Sequence, residues 1–231
     1  MKLLSDNNKI HKGEKFGFYT LGIHLSPAKK SGYEVCSWRS EGCTMSCLDT
    51  AGKWSNTPNV QSSRIAKTRF FFEDKQGFFC KLAHEISLAV KRAERKGLTP
   101  CFRLNLTSDL PWEGIRNADR KTIFELFPTV QFYDYTKGFS RMRNYLNGKM
   151  PSNYHLTFSR SESNQAHCDI IAKLGGNVAC VFRNELPSTW QGKRVINGDV
   201  SDLRFRDPKG CIVGLVEKGR AKKDESGFVL N

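Results

Sequence analysis

A reduced or open (β/α) barrel, an α/β fold with mostly parallel strands, is predicted by three observations. Strand-like and helix-like stretches alternate along most of the chain, which is the order that sets parallel strands side by side under helices. About seven strands can be counted. The chain, at 231 residues, can bury one sizeable core but is short for a complete eightfold barrel. A doubly wound open sheet is the alternative. One α/β domain is expected over residues 16–231, preceded by a polar, loosely packed segment at 1–15.

Phe16–Leu25 is rich in aromatic and β-branched residues and reads as the first strand. Ser26-Pro-Ala-Lys-Lys-Ser-Gly32 breaks it and leads into a cysteine loop. Helix signals begin near Ser62. From Lys81 to Lys96, Leu82, Ala83, Ile86, Leu88 and Val90 form an apolar face, and Gly97 suits the position after a helix. Thr99–Thr107 is a strand, Arg120–Phe127 a short helix closed by Pro128, and Val130–Thr136 a strand. A basic helical patch reaches Tyr145. Tyr154–Ser159 is the next strand, followed by a helix over Asn164–Leu174. Asn177–Phe182, Arg194–Ile196 and Cys211–Val216 supply the last strands.

The formal charge is +14, from 37 Lys and Arg against 23 Asp and Glu, which favours polyanionic partners such as nucleic acid or a phosphorylated nucleotide. No run approaches the roughly 18 apolar residues of a membrane span, and the N-terminal apolar stretch is too short for a signal peptide. A cytoplasmic protein with reduced thiols is expected, so its eight cysteines point to metal binding or packing rather than disulfides.

Three of those cysteines fall within Cys36-Ser-Trp-Arg-Ser-Glu-Gly-Cys43-Thr-Met-Ser-Cys47. Thiolates are soft ligands, and three on one loop match the ligand count of a [4Fe–4S] cluster with one free iron. They could equally hold zinc with a fourth ligand from His24, His84 or Cys80, or stand unligated. The other five cysteines, in apolar runs, are expected to pack as small hydrophobes.

In parallel α/β folds, functional groups gather beyond the carboxyl ends of the strands. Read in this way, Asp109, Asp134, Lys137 and Arg160 are candidate catalytic residues. Asn105, Ser108 and Ser159 are candidates for cofactor binding, and Cys36, Cys43 and Cys47 for metal. Asp199 and Asp202 lie in a Gly/Asn/Asp-rich turn. With Mg²⁺, Asp109, Asp134 and Asp199 would make a third, hydrolytic possibility. Trp112, Phe132, Tyr133 and Tyr135 are either core or stackers of nucleobases.

The cysteine loop, Ser108-Asp109-Leu-Pro-Trp112, Phe132–Lys137, Tyr154–Arg160 and Asn197–Phe205 together resemble a family of tailed-bacteriophage proteins, over the chain from about residue 15 onward. That resemblance brings no activity with it. More distantly, a three-cysteine loop after the first barrel strand is similar to the radical S-adenosylmethionine enzymes. This second resemblance implies a [4Fe–4S] cluster on Cys36, Cys43 and Cys47, with S-adenosylmethionine on its fourth iron. The cysteines here are spaced more widely than in those enzymes, and Ser108-Asp109 stands where their glycine-rich motif would be. The reading is therefore an iron–sulfur enzyme acting on a nucleotide or nucleic acid. The alternative is a basic nucleic-acid-binding protein with a structural zinc or a metal-free loop.

Overall fold

The computed structural model describes residues 1–51 and 57–231. Ten strands form one sheet: β1 (Leu4–Ser5), β2 (Phe18–Ile23), β3 (Thr99–Arg103), β4 (Gln131–Thr136), β5 (Tyr154–Ser159), β6 (Val178–Phe182), β7 (Thr189–Trp190), β8 (Lys193–Asn197), β9 (Ile212–Val216) and β10 (Val229–Leu230). Their order is β1-β2-β3-β4-β5-β6-β9-β8-β7, with β10 beside β6. All pairings are parallel except β1 with β2 and β7 with β8. From β2 to β6 the spatial order follows the chain without reversal, so the switch point of a doubly wound sheet is missing there. The sheet is open. The mostly parallel α/β arrangement holds, and a closed barrel does not form.

The helices are α1 (Asn8–His11), α2 (Glu41–Met45), α3 (Pro58–Glu73), α4 (Lys75–Arg95), α5 (Ile123–Leu126), α6 (Phe139–Leu146) and α7 (Gln165–Lys173). α4 buries Phe78, Phe79, Leu82, Ile86, Ala89 and Ala93, spaced three or four apart. Leu88, expected on that face, is exposed. Gly97 takes φ +64°, and Leu98 N closes on Ala93 O, so the expected glycine does end the helix. Residues 58–95 form two helices with one residue between them. Asp74, at φ −137° and ψ 73°, stops α3 and caps α4 by accepting from Gly77 N at 2.8 Å.

The large core lies between the sheet and its helices. Alternate strand residues feed it: Tyr19, Leu21 and Ile23; Phe102; Phe132; Tyr154, Leu156 and Phe158; Cys180 and Phe182. Their neighbours face the other way, where residues 198–207 and the N-terminal segment cover Cys101, Tyr133, Ala179 and Val213. Trp112, Phe132 and Tyr133 are core, which leaves them unable to stack on a base.

The N-terminal segment is not loose. Leu3, Leu4 and Ile10 are buried, and the Glu85 carboxylate accepts from Leu3 N and Leu4 N at 2.8–3.0 Å. A charged helix residue thereby ties down β1, a tertiary contact with no local signature. Cys101, Cys168, Cys180 and Cys211 are buried as expected, whereas Cys80 on α4 is exposed.

Candidate functional site

β2 delivers the cysteine loop to the carboxyl edge of the sheet, and five neighbours fix it there. Asp109 N donates to Val35 O at 2.8 Å, holding the loop to the turn after β3. Glu162, after β5, accepts from Ser40 Oγ and Gly42 N, both at 2.8 Å. Asp224 accepts from Ser46 Oγ at 3.1 Å. Trp38 lies against Gly138 and beneath the Arg141 guanidinium, 5.5 Å from the ring centroid. A Cβ on Gly138 would stand 3.1 Å from the indole, so a side chain there would press Trp38 outward by a few tenths of an ångström.

Cys36, Cys43 and Cys47 are half-buried, and each lies within the electrostatic reach of the other two. Burial pushes the Cys36 thiol up to about 11 and that of Cys47 to about 12. Lys137, just beyond β4, reaches into this group. Its ammonium donates to Ser159 Oγ at 3.0 Å and lies within electrostatic reach of Cys43. Burial lowers its proton affinity, but the charges of Cys43 and Asp109 outweigh this and hold it above the usual lysine range. Lys137 is a fixed cation rather than a base.

Behind the loop stands a buried network. Arg141 forms a bidentate pair with Glu113 (2.7 and 2.8 Å), meets Asp109 at 2.6 Å, and donates to Tyr154 Oη at 3.2 Å. Tyr154 Oη donates to Asp134 at 2.9 Å. Asp134 also accepts from Asn105 N at 2.7 Å, while burial raises its carboxyl to about 7. Asn105 Oδ1 accepts from Ser108 Oγ, Leu110 N and Trp112 Nε1 at 2.8–3.2 Å.

The predicted site residues therefore divide three ways. Cys36, Cys43, Cys47, Lys137 and Ser159 come together. Asn105, Ser108 and Asp134 are absorbed in the network under the loop, and Asp109 joins that network to Lys137 N at 2.8 Å. Arg160 turns away to Gln165 and to the carbonyls of Gly227 and Phe228, at 2.7–3.1 Å. Asp199 is held by Lys218 at 2.5 Å and by Val216 N at 3.0 Å, and Asp202 by Lys9 and Arg103 at 3.1 and 2.9 Å. Each carboxylate of the hydrolytic possibility thus has its own partners.

Of the proposed fourth ligands, His24 engages Ser5 and Asn7 through its two ring nitrogens at 3.2 and 3.4 Å, and burial lowers it to about 3. His84 and Cys80 are exposed on α4. Among the described residues, no three His, Cys, Asp or Glu side chains stand close enough to hold one ion as they are placed. Trp38, Glu113, Arg141 and Asp224 also matter to the site. Trp38 lies inside the cysteine loop and Arg141 in the basic helical patch, whereas Glu113 and Asp224 carry no local signal.

A family model described as gene product 88 matches residues 1–231. The chain belongs to the gene product 88 family. This fits the resemblance to phage proteins. Neither the curated proteins nor the solved structures contain a match, so the resemblance to radical S-adenosylmethionine enzymes gains no support.

Proposed function

We propose that this member of the gene product 88 family holds an iron–sulfur cluster on Cys36, Cys43 and Cys47. It would use that cluster in an enzymatic reaction on a phosphorylated nucleotide or nucleic acid. One observation carries the reading: three thiols of one anchored loop lie within electrostatic reach of one another, and the Lys137 ammonium at the carboxyl edge of the sheet lies within reach of Cys36 and Cys43. The donor set fits the group, because soft thiolates suit iron–sulfur clusters and a nearby cation offsets their charge. Loading requires the thiols to turn toward one another on a backbone already pinned at Val35, Ser40, Gly42 and Ser46.

When bound, a cluster on three thiolates would offer one iron for an exchangeable ligand. Lys137 and Ser159 would hold an anionic group at that edge. Asp109 and Arg141 would keep the strand ends and Trp38 in place.

Anaerobic purification with elemental analysis and an absorption spectrum tests the reading. About four irons per chain and a broad band at about 400 nm are expected, both lost on replacing the three cysteines by Ala. Iron retained by that variant would sink the assignment. S-adenosylmethionine, tested by titration into the loaded protein, is the ligand that the distant resemblance implies.

A basic nucleic-acid-binding module is the second reading. It is favoured by the exposed Lys218, Arg220, Lys222 and Lys223, whose 3-10 turn packs against Leu48–Thr50 of the cysteine loop. One zinc per chain, no visible absorption, and DNA or RNA binding that weakens steeply with salt would move this reading to first place.

A further inference from the structure

The face of the sheet turned away from the helices is polar along β4 and β5. Below the cysteine loop, Lys137 meets Ser159, then Tyr135 lies in register with Thr157, then Tyr133 with His155. The Arg103 guanidinium lies over the Tyr135 ring, 4.6 Å from its centroid, and Lys9 approaches the same ring at 6.0 Å. Arg204, fully buried, comes from the covering segment and lies within electrostatic reach of Tyr133 and Tyr135.

Several polar atoms here are shielded from solvent and have no hydrogen-bond partner: Tyr135 Oη, Thr157 Oγ1, His155 Nε2, Arg103 Nε and Arg204 Nε; the likewise unbonded Asp202 Oδ1 and Asp207 Oδ2 stand within ion-pair reach of Lys9 and Arg204 Nη1. Thr157 is completely buried. Each such orphan costs about 1–3 kcal/mol, so several on one face ask for an explanation. The charges are also unbalanced. Lys9, Arg103 and Arg204 face Asp202 and Asp207, while the nearby Asp199 is matched by Lys218. Surplus donors and surplus positive charge together describe a site for an anion rich in acceptor oxygens.

We propose that this inner face binds a small phosphorylated molecule, its phosphate held by Lys137, Arg103 and the hydroxyls of Tyr135, Thr157 and Ser159. A monomeric ligand fits better than a polymer, because a nucleic-acid strand cannot thread a buried face. The proposal names the substrate class for the site beneath the cysteine loop. It depends on the preceding reading only for the statement that the ligand is a substrate.

The test is calorimetric titration of the full chain, with no metal added, using inorganic phosphate and adenosine 5′-monophosphate at low salt. Saturable binding is expected, weakened about tenfold by Tyr135→Phe and by Thr157→Val, since each removes one hydrogen bond to a charged ligand. Without ligand, both variants should melt at or above the wild-type temperature, because each deletes an unpartnered buried hydroxyl. Binding of either probe that both variants weaken supports the site, whichever probe binds tighter. No saturable binding, or affinities that neither variant changes, would mean an interior filled by water and would overturn it. Phosphate binding by a protein that takes up no metal would refute the cluster alone, and metal uptake without phosphate binding would refute this inference alone.

Discussion

Arg141 shows how much of the site rests on one side chain. Its guanidinium satisfies Asp109, Glu113 and Tyr154 and lies over Trp38. Arg141→Met would leave two half-buried carboxylates without their cation, a loss of about 3 kcal/mol. Urea unfolding would measure it, and Arg141→Lys should recover little, because an ammonium cannot make the bidentate pair. The thiols make a second prediction at this scale. With Cys36 at about 11 and Cys47 at about 12, both are protonated at neutral pH and must release protons to bind metal. Cobalt or zinc titrated between pH 6.5 and 8 should bind more tightly by roughly tenfold per pH unit for each proton displaced. An affinity independent of pH would show that the thiols are not the ligands.

At the scale of elements, the break between α3 and α4 is decided by a cap. Asp74 Oδ1 accepts from Gly77 N, and its backbone leaves the helical region. The turn folds α3 back so that Phe71, Phe78 and Trp112 meet, with ring centroids 5.3–6.3 Å apart. Asp74→Ala should cost about 1 kcal/mol, read from the shift in the denaturation midpoint. Asp74→Asn, which caps as well, should cost far less. On the other side of the site, β10 extends the sheet beside β6 where β5 has ended, pairing Val229 with Val181 and Leu230 with Phe182. Phe228, next to it, packs against the Lys137 ammonium, 5.6 Å from the ring centroid. The C-terminal strand thereby closes over the residue that links the cysteine loop to the sheet.

For the whole molecule, buried titratable groups pull stability in opposite directions. His24 and His155 are lowered by burial to about 3 and 4, so the unfolded chain binds protons that the folded one refuses, and stability falls as pH drops below 6.5. Asp134 and Asp207 are raised by burial to about 7 and 6, so the folded chain binds protons that the unfolded one has lost, and stability falls as pH rises from about 4. Two groups of each kind nearly cancel. The unfolding free energy should stay within about 1 kcal/mol between pH 4.5 and 6. Asp134→Asn should unbalance it, giving a stability that rises with pH by on the order of 1 kcal/mol per unit. Below pH 4 the protein should weaken. Asp202, held near 2 by Arg103 and Lys9 against the desolvation of its burial, then loses its contribution as it is protonated. A monotonic rise in wild-type stability across the window would refute this balance.

The local pattern was enough for the seven central strands, the single cysteine loop and its place at the carboxyl end of β2. Strand composition, turn residues and the C′ glycine at Gly97 act within a few residues of where they stand. Which polar residues serve the site was decided by the tertiary structure. Asp134 and Lys137 lie three residues apart at the same strand end, yet one is sealed beneath helices and the other meets Cys43. Alternation says only that they face opposite ways, and both faces of this sheet are covered. β1, β7 and β10 escaped the sequence for a related reason. Each is two residues long and exists only because β2, β8 or β6 offers an edge. Whether the sheet closes is likewise set by the pairing of its outermost strands, far apart in the chain, and there Leu4–Ser5 and Thr189–Trp190 end it as antiparallel edges.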